Sequence, residues 1–147
     1  MATWQGLMLK GDCAELPNPT VDHSAVGIID DGTAGEALAI GDLCYFKSDG
    51  KFWKCDADAE TTSKGLLALA TAAIAADALG VFLFYGKYRD DSWAWATIGA
   101  ELFISVTPGN PTATKPSGTG DIVRIVAHVV TADILFFNPS QTYLELS

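Results

Sequence analysis

Short runs of β-forming residues alternate with turn residues along most of the chain, from residue 36 onward. The runs cover residues 43–47, 52–54, 81–85, 101–107, 122–130 and 134–137. Turn residues separate them, for example Asp49-Gly50 and Pro108-Gly109, as is typical of strands joined by short connections. The pattern predicts an all-β domain, a small antiparallel sandwich or barrel of jelly-roll-like form.

The segment 66–79, LLALATAAIAADAL, does not follow this alternation. Its alanines and leucines favour a helix by intrinsic propensity. Every neighbouring segment is predicted to be a strand, and tertiary context commonly overrides propensity. We therefore expect a strand near residues 66–70 followed by a loop, with a helix as the alternative.

The first 35 residues lack sustained periodicity. Pro17, Pro19 and the run DDGTAG at 30–35 interrupt short apolar groups such as 7–9 and 26–29. This composition predicts an extended N-terminal arm with apolar anchors over residues 1–35 and a β-domain over 36–147. The alternative, in which the arm supplies the first one or two strands of the domain, stays open.

The stretch LCYFKSDGKFWKC, residues 43–55, predicts a β-hairpin with two possible registers. A two-residue turn at Asp49-Gly50 would place Cys44 opposite Cys55, with Phe46 and Trp53 on one buried side. A three-residue loop with a glycine bulge would instead place Cys44 opposite Lys54. The sequence alone does not choose between them.

The charge balance limits the classes of partner. Nine basic against 18 acidic residues give a formal charge of −9, which argues against nucleic acid and against anionic membrane surfaces. Apolar residues are 49% of the chain, which favours burial in an oligomer or assembly. The N-terminus resembles no secretion signal, and no apolar run is long enough for a transmembrane span.

Candidate chemistry is sparse. Three cysteines, an odd number, in a chain without an evident secretion signal indicate reduced thiols. Cys13, His23 and His128 have no metal-ligand spacing, and no thiol has a recognisable base beside it. We therefore expect no catalytic, cofactor or metal site, and we interpret the cysteines and His128 as structural.

Several stretches together resemble small virion domains of tailed bacteriophages, over roughly residues 35 to 140. They are GEALAIGDLCYFKSDGKFWKCDAD from residue 35, SKGLLALA from 63, GAELFISVTPGNPT from 99 and VRIVAHVVTADILFFNPS from 123. The family shows a Gly-Glu-x-Leu-x-x-Gly-Asp opening, an Asp-Gly-Lys turn and a strand ending in Thr-Pro-Gly. Ala127 stands where glycine is usual in the last pattern.

The resemblance implies a capsid decoration, or cement, protein that is β-rich, trimeric and not an enzyme. It implies binding to the major capsid protein across neighbouring capsomers on the virion surface, after synthesis in the host cytoplasm. The alternative function is a receptor- or glycan-binding module of a tail fibre or spike. The aromatic and apolar residues expected at an interface are Trp4, Leu7, Met8, Leu9, Tyr45, Tyr88, Trp93 and Trp95.

Overall fold

A computed structural model describes residues 8–10 and 13–147, and this part of the chain is all-β, as the sequence predicts. The strands are β1 Met8–Lys10, β2 Cys13–Glu15, β3 Ser24–Thr33, β4 Leu43–Phe46, β5 Phe52–Lys54, β6 Leu67–Ala70, β7 Leu79–Arg89, β8 Glu101–Ile104, β9 Pro111–Thr112, β10 Ile122–Val123, β11 Ile125–Thr131, β12 Ile134–Phe137 and β13 Leu144–Glu145. A single 3-10 turn, Glu60–Thr62, lies between β5 and β6. The main sheet is antiparallel and curls into a half-barrel.

The long strand β7 organises the sheet because its two edges carry different partners. β3 pairs along the whole of one edge, from Ser24 opposite Arg89 to Thr33 opposite Leu79. On the other edge, β6 pairs with residues 82–83 and β12 pairs with residues 86–89. The sheet therefore divides at residues 84–85 into two wings, β6-β4-β5 and β12-β11-β8-β9.

The main hydrophobic core lies between these wings. Both wings and β7 contribute fully buried side chains to it: Leu43, Leu67, Leu69, Leu83, Tyr88, Leu102, Ile104, Val126, Leu135 and Phe137. A second, smaller core covers the opposite face of the β6-β4-β5 wing, with Phe82 and Phe52 stacked at 4.3 Å. The segments that carry Leu38 and Ile74 close it. Both faces of β6 and of most of β4 are therefore buried, which explains the near-continuous apolar sequence of these two strands.

A buried arginine joins the two wings where they leave β7. Arg124 is 2% exposed and donates to three backbone carbonyls, those of Ser63, Gly65 and Ser140, at 2.8 to 2.9 Å. Ser63 and Gly65 precede β6, and Ser140 follows β12. No carboxylate of the described residues lies within ion-pair distance of Arg124. The guanidinium thus supplies the hydrogen bonds that the divided sheet no longer makes, and desolvation lowers its pKa.

Two glycines allow β3 to lie unusually close to β7. Gly27 and Gly86 face each other with φ values of 155° and 143°. A Cβ atom on Gly86 would lie 2.2 Å from the Val26 carbonyl oxygen, and one on Gly27 would lie 2.1 Å from that of Tyr85. Only glycine fits at either position. The next residues form a bulge, where the register of the β3–β7 pairing shifts between Ile28 and Ile29.

The hairpin takes the three-residue loop. Cys44 lies opposite Lys54 and Tyr45 opposite Trp53, and Gly50 has a φ of 79°. Cys55 donates its backbone N–H to Leu43 and belongs to the main core, whereas Cys44 belongs to the second core. The two thiols therefore point to opposite faces. The pairing of Phe46 with Trp53 on one buried side, expected for the other register, is wrong: Phe46 is exposed and packs on Phe52.

Other sequence predictions have mixed outcomes. The strand expected near 66–70 is β6, and the residues after it form no helix. The run 122–130 is two strands, because Arg124 interrupts it. The predicted boundary at residue 35 follows β3, which is a full member of the main sheet. The alternative interpretation of the arm, as a strand of the domain, is therefore correct for residues 24–33.

Candidate interaction surface

The outer edge of β3 is the main open feature of the sheet. β3 is ten residues long and pairs only with β7 among the described residues. Its side chains Ile28 and Ile29 are 52% and 43% exposed. An edge strand of this length presents a row of backbone groups to which another strand can add. We refer to residues 24–33 as the β3 edge.

A groove runs along the inner side of the β3 edge. It has a volume of 480 Å³. Ala25, Gly27 and Ile29 of β3 line it together with Val81 of β7 and with Thr71, whose amide donates to the Val81 carbonyl. The groove therefore lies over the face of the β3–β7 pair, beside the β3 edge and not at its open side.

The opposite face of the sheet carries a row of mixed character. Successive cross-strand pairs align Val26, Lys87, Phe136, His128 and Glu101 across five strands. His128 is exposed in this row, in agreement with its interpretation as an ordinary strand histidine. The row combines one basic side chain, Lys87, one acidic side chain, Glu101, and the imidazole of His128.

The chain before β3 is tied to this outer face. The Lys87 ammonium donates to the Leu16 carbonyl at 2.9 Å and to the Asn18 side chain at 2.8 Å. Pro19 is buried, and its carbonyl accepts a longer bond from Arg89. Residues 16–19 are thus anchored on β7. The N-terminal hairpin β1–β2 precedes this anchor and pairs only with itself among the described residues.

The predicted aromatic surface is largely a core feature. Tyr88 is fully buried, and its ring lies 5.7 Å from Trp93, which lies 5.3 Å from Trp95. Trp93 and Trp95 are half-buried against the main core, in a segment without strand structure. Their spacing of two residues predicts one face of a strand, and that prediction is wrong because residues 93–96 form no strand. The packing of Trp93 and Trp95 is that of core residues, and the two indoles remain partly accessible.

The remaining predicted interface residues have separate locations. Tyr45 is buried in the main core, like Tyr88, so neither tyrosine is available at the surface. Met8 and Leu9 lie in β1. Trp4 and Leu7 lie outside the described residues. The structure therefore brings together Tyr88, Trp93 and Trp95 and places Tyr45 elsewhere in the same core.

One cluster of titratable groups lies at the start of β3. His23 lies 3.6 Å from the Asp22 carboxylate through Nδ1 and 3.5 Å from Asp90 through Nε2. Asp90 is nearly buried and accepts hydrogen bonds from the Ser92 amide and hydroxyl. His23 has a φ of 56°, which is uncommon for a non-glycine residue. An imidazole and two carboxylates are ligands that a divalent cation accepts, and the two carboxylates lie on opposite sides of the His23 ring.

The cysteines are chemically quiet where they are buried. Burial raises the pKa of both the Cys44 and the Cys55 thiol. Neither thiol has an imidazole beside it, since His23 and His128 lie on β3's approach and on β11. A raised pKa keeps a thiol protonated and unreactive, so both behave as small apolar core residues. Cys13 is exposed on β2.

The sequence interpretation missed the β3 edge as a surface. Its signal was present in Val26–Ile29, a β-branched run interrupted by Gly27 and followed by two aspartates. That run reads equally well as an isolated anchor in an arm, because nothing local indicates a partner 50 residues later in the chain. Asp22, His23 and Asp90 were missed for the same reason.

No family model, curated protein or solved structure matches this chain. The part of the chain that the structure describes has no helix with the length and hydropathy needed to cross a bilayer.

Proposed function

We propose that this chain is a structural virion protein that decorates and stabilises a tailed-phage capsid. It binds the major capsid protein across neighbouring capsomers as a homotrimer. The observation that carries the proposal is the character of its accessible surface. An acidic β half-barrel offers one long strand edge that is unpaired among the described residues and that exposes Ile28 and Ile29 beside Asp30 and Asp31.

The quoted sequence patterns support the proposal by their position in the fold. The stretch from residue 35 covers the approach to β4 and the β4–β5 hairpin, and SKGLLALA covers β6. The stretch from 99 covers β8 and its turn into β9, and the stretch from 123 covers β11 and β12. Each pattern thus coincides with a strand and its turn in the expected order.

The mechanism is a binding equilibrium. A protein that binds the expanded shell more tightly than its dissociated capsomers stabilises the shell in proportion to that preference. Three linked binding sites raise the effective concentration of each, so modest single contacts give durable attachment. A net charge of −9 keeps decorated particles dispersed.

The test is co-sedimentation of the purified chain with expanded, undecorated capsids assembled from the major capsid protein of the same phage. We expect saturable binding and a higher temperature of capsid disruption. Parallel samples contain host cells and purified host polysaccharide. Binding to cells or polysaccharide but not to capsids would overturn the proposal and support the receptor- or glycan-binding alternative.

A matched pair of variants locates the attachment. Trp4→Ala removes a large apolar side chain from the N-terminal segment, and Gln5→Ala changes a polar neighbour. If Trp4 is a buried anchor, its loss costs on the order of 1–3 kcal/mol of capsid binding, and the control costs almost none. Equal affinities would move the attachment site to the β-domain.

A further inference from the structure

A pocket opens on β7 at the point where the two wings of the sheet separate. It has a volume of 370 Å³. Residues 65–67, at the start of β6, line it together with Asn138, Pro139 and Gln141, which follow β12. Phe84, which pairs with neither β6 nor β12, also lines it. Both wings therefore contribute to one pocket, which lies where the sheet divides.

Arg124 is bonded to both wings and lines the pocket between them. Its guanidinium donates to the Gly65 carbonyl beside β6 and to the Ser140 carbonyl beyond β12. A third bond goes to the Ser63 carbonyl. A guanidinium has five N–H groups, so one N–H on Nη1 and one on Nη2 have no acceptor among the described residues. Two donors of a group that lines the pocket thus remain unused.

The positive charge of Arg124 has no counterion in the described structure. No described carboxylate lies within ion-pair distance of it. The ionisable side chains that act on it are those of Cys55 and Tyr143. Burial raises the pKa of Cys55, and a hydrogen bond to Glu60 raises the pKa of Tyr143, so both are uncharged at neutral pH. Because a buried charge is normally paired with an opposite one, the group that this pocket lacks is a carboxylate.

The lining of the pocket indicates what carries that carboxylate. Leu66 is 51% exposed and lines the pocket together with Phe84 and Pro139. A mostly apolar pocket with a few polar groups binds the aliphatic part of a ligand and orients its polar end. The ligand class is therefore a carboxylate on a short aliphatic chain, which is the chemistry of a glutamate side chain.

The surface beside the pocket favours a protein as the carrier. The ring of Phe84 lies 5.9 Å edge-on from the ring of Phe52, and that ring lies 4.9 Å from Phe46. Phe46 is 44% exposed. Apolar surface thus continues from the pocket to Phe46, farther than a small organic acid reaches. Exposed apolar surface next to a pocket is typical of a protein interface.

We propose that the pocket binds an acidic side chain of the protein to which this chain attaches. The carboxylate pairs with Arg124, and its aliphatic carbons lie against Leu66 and Phe84. Arg124 is 2% exposed, so water screens the ion pair little. The inference rests on the proposed function for the identity of that protein, the major capsid protein, and deepens it by naming one contact. That the pocket accepts a carboxylate does not depend on that function.

The first experiment titrates the full chain with sodium butyrate, against sodium chloride at the same ionic strength. The chain has two arginines, Arg89 and Arg124, so a proton–nitrogen correlation spectrum has two arginine Nε–Hε signals, and Arg89→Lys assigns them. We expect butyrate to shift the Arg124 signal saturably and to leave the Arg89 signal in place. Acetate should bind at least threefold more weakly, because it buries less apolar surface. Butylammonium, which carries the opposite charge, should not bind.

Two pairs of variants locate the binding without replacing Arg124, whose loss is expected to destabilise the protein. Gln141→Glu adds a carboxylate to the pocket and should abolish the butyrate shift. Thr142→Glu makes the same charge change at an exposed neighbour outside the pocket and should preserve the shift. Leu66→Ala should weaken butyrate binding at least threefold, whereas Leu144→Ala, at an equally accessible leucine outside the pocket, should not.

The second experiment repeats the capsid co-sedimentation with the glutamate variants. Gln141→Glu should weaken capsid binding at least tenfold, because the added carboxylate repels the acidic side chain of the partner. Thr142→Glu should bind like the wild type. Far-ultraviolet circular dichroism confirms that each variant is folded.

An Arg124 signal that butyrate does not move would overturn the proposal. So would a chloride shift as large as that of butyrate, which means an adventitious ion only, or butyrate binding that survives Gln141→Glu. Wild-type capsid affinity of Gln141→Glu would show that the partner's acidic side chain is not the ligand. A chain that binds butyrate as expected but ignores capsids contradicts the proposed function alone, and the carboxylate site stands.

Discussion

The two edges of β7 differ in how many strands cover them and in what lies beyond those strands. On one edge, β6 and β12 cover the strand in succession, and Leu69 of β6, which lies opposite Leu83, is fully buried. On the other edge, β3 covers the strand alone and leaves Ile29, the partner of Leu83, 43% exposed. Both residues are apolar, so the exposed fraction of a side chain here depends on whether its strand has neighbours on both edges and not on residue type.

The covered edge also carries a cost that the open edge avoids. β6 and β12 separate at residues 84–85. The backbone carbonyls of Ser63, Gly65 and Ser140, which lie next to these two strands, then need hydrogen-bond donors. Arg124 meets that need from within the core. On the open side, Arg89 forms an ordinary surface ion pair with Asp91 at 2.6 Å. Arg124 thus hydrogen-bonds buried backbone carbonyls, whereas Arg89 pairs with a carboxylate at the surface.

The largest expected effect comes from separating β3 from β7. Gly86→Ala places a methyl group against the Val26 carbonyl in a backbone conformation that favours glycine. We expect a loss of stability on the order of 3–5 kcal/mol, measured by urea unfolding. Gly99→Ala is the control, because Gly99 also has a positive φ but its Cβ would meet open space.

For Gly99→Ala we expect about 1–2 kcal/mol, the cost of the conformation alone. If the two alanine variants were equally stable, the close approach of β3 to β7 would be incorrect. β3 would then be attached more loosely than the pairing indicates.

An intermediate effect should separate the two arginines. Arg124→Met keeps most of the side-chain volume but removes three hydrogen bonds to carbonyls that stay buried, while it relieves the burial of a charge. We expect a net loss of about 2–4 kcal/mol of stability. Arg89→Met should cost up to about 1 kcal/mol, since its ion pairs are partly exposed. Chemical unfolding of both variants in the same buffer measures the difference.

Equal losses from Arg124→Met and Arg89→Met would mean that the join between the wings does not depend on Arg124. Arg124→Lys sharpens the result. A single ammonium cannot match the fork of a guanidinium, so this variant should remain destabilised although its charge is kept.

The smallest expected effect is a difference in the rate at which the three thiols are alkylated, with no change in stability. Burial raises the pKa of Cys44 and Cys55, and Cys13 is exposed. Iodoacetamide at pH 8 should therefore modify Cys13 first in the native protein. All three thiols should react once the protein is unfolded without reductant. Peptide mass spectrometry follows each site.

Rapid native labelling of Cys44 would show that the second core opens readily. A mass two daltons low in a peptide pair containing Cys44 and Cys55 would contradict the register of the hairpin as well as the expectation of free thiols.

The prediction of strands succeeded where the signal was local. Asp49-Gly50 marks a turn in any context, and the β-branched run after residue 122 favours a strand in any context. The prediction failed where the deciding partner was distant. The arm around Val26 is a strand because β7, more than 50 residues later, offers it an edge. Tyr45 and Tyr88 are core residues because two wings close over them.

The sequence by itself determined the all-β class, the position of most turns and the acidic surface, because each depends on residue type and near neighbours. Only the tertiary structure decided the hairpin register, since the loop sequence permits both alternatives and the buried faces of β4 select one. Only the tertiary structure assigned Arg124 to the join between the wings and left the β3 edge open. Both follow from which strands share β7, and long-range pairing of that kind leaves no mark on a short stretch of sequence.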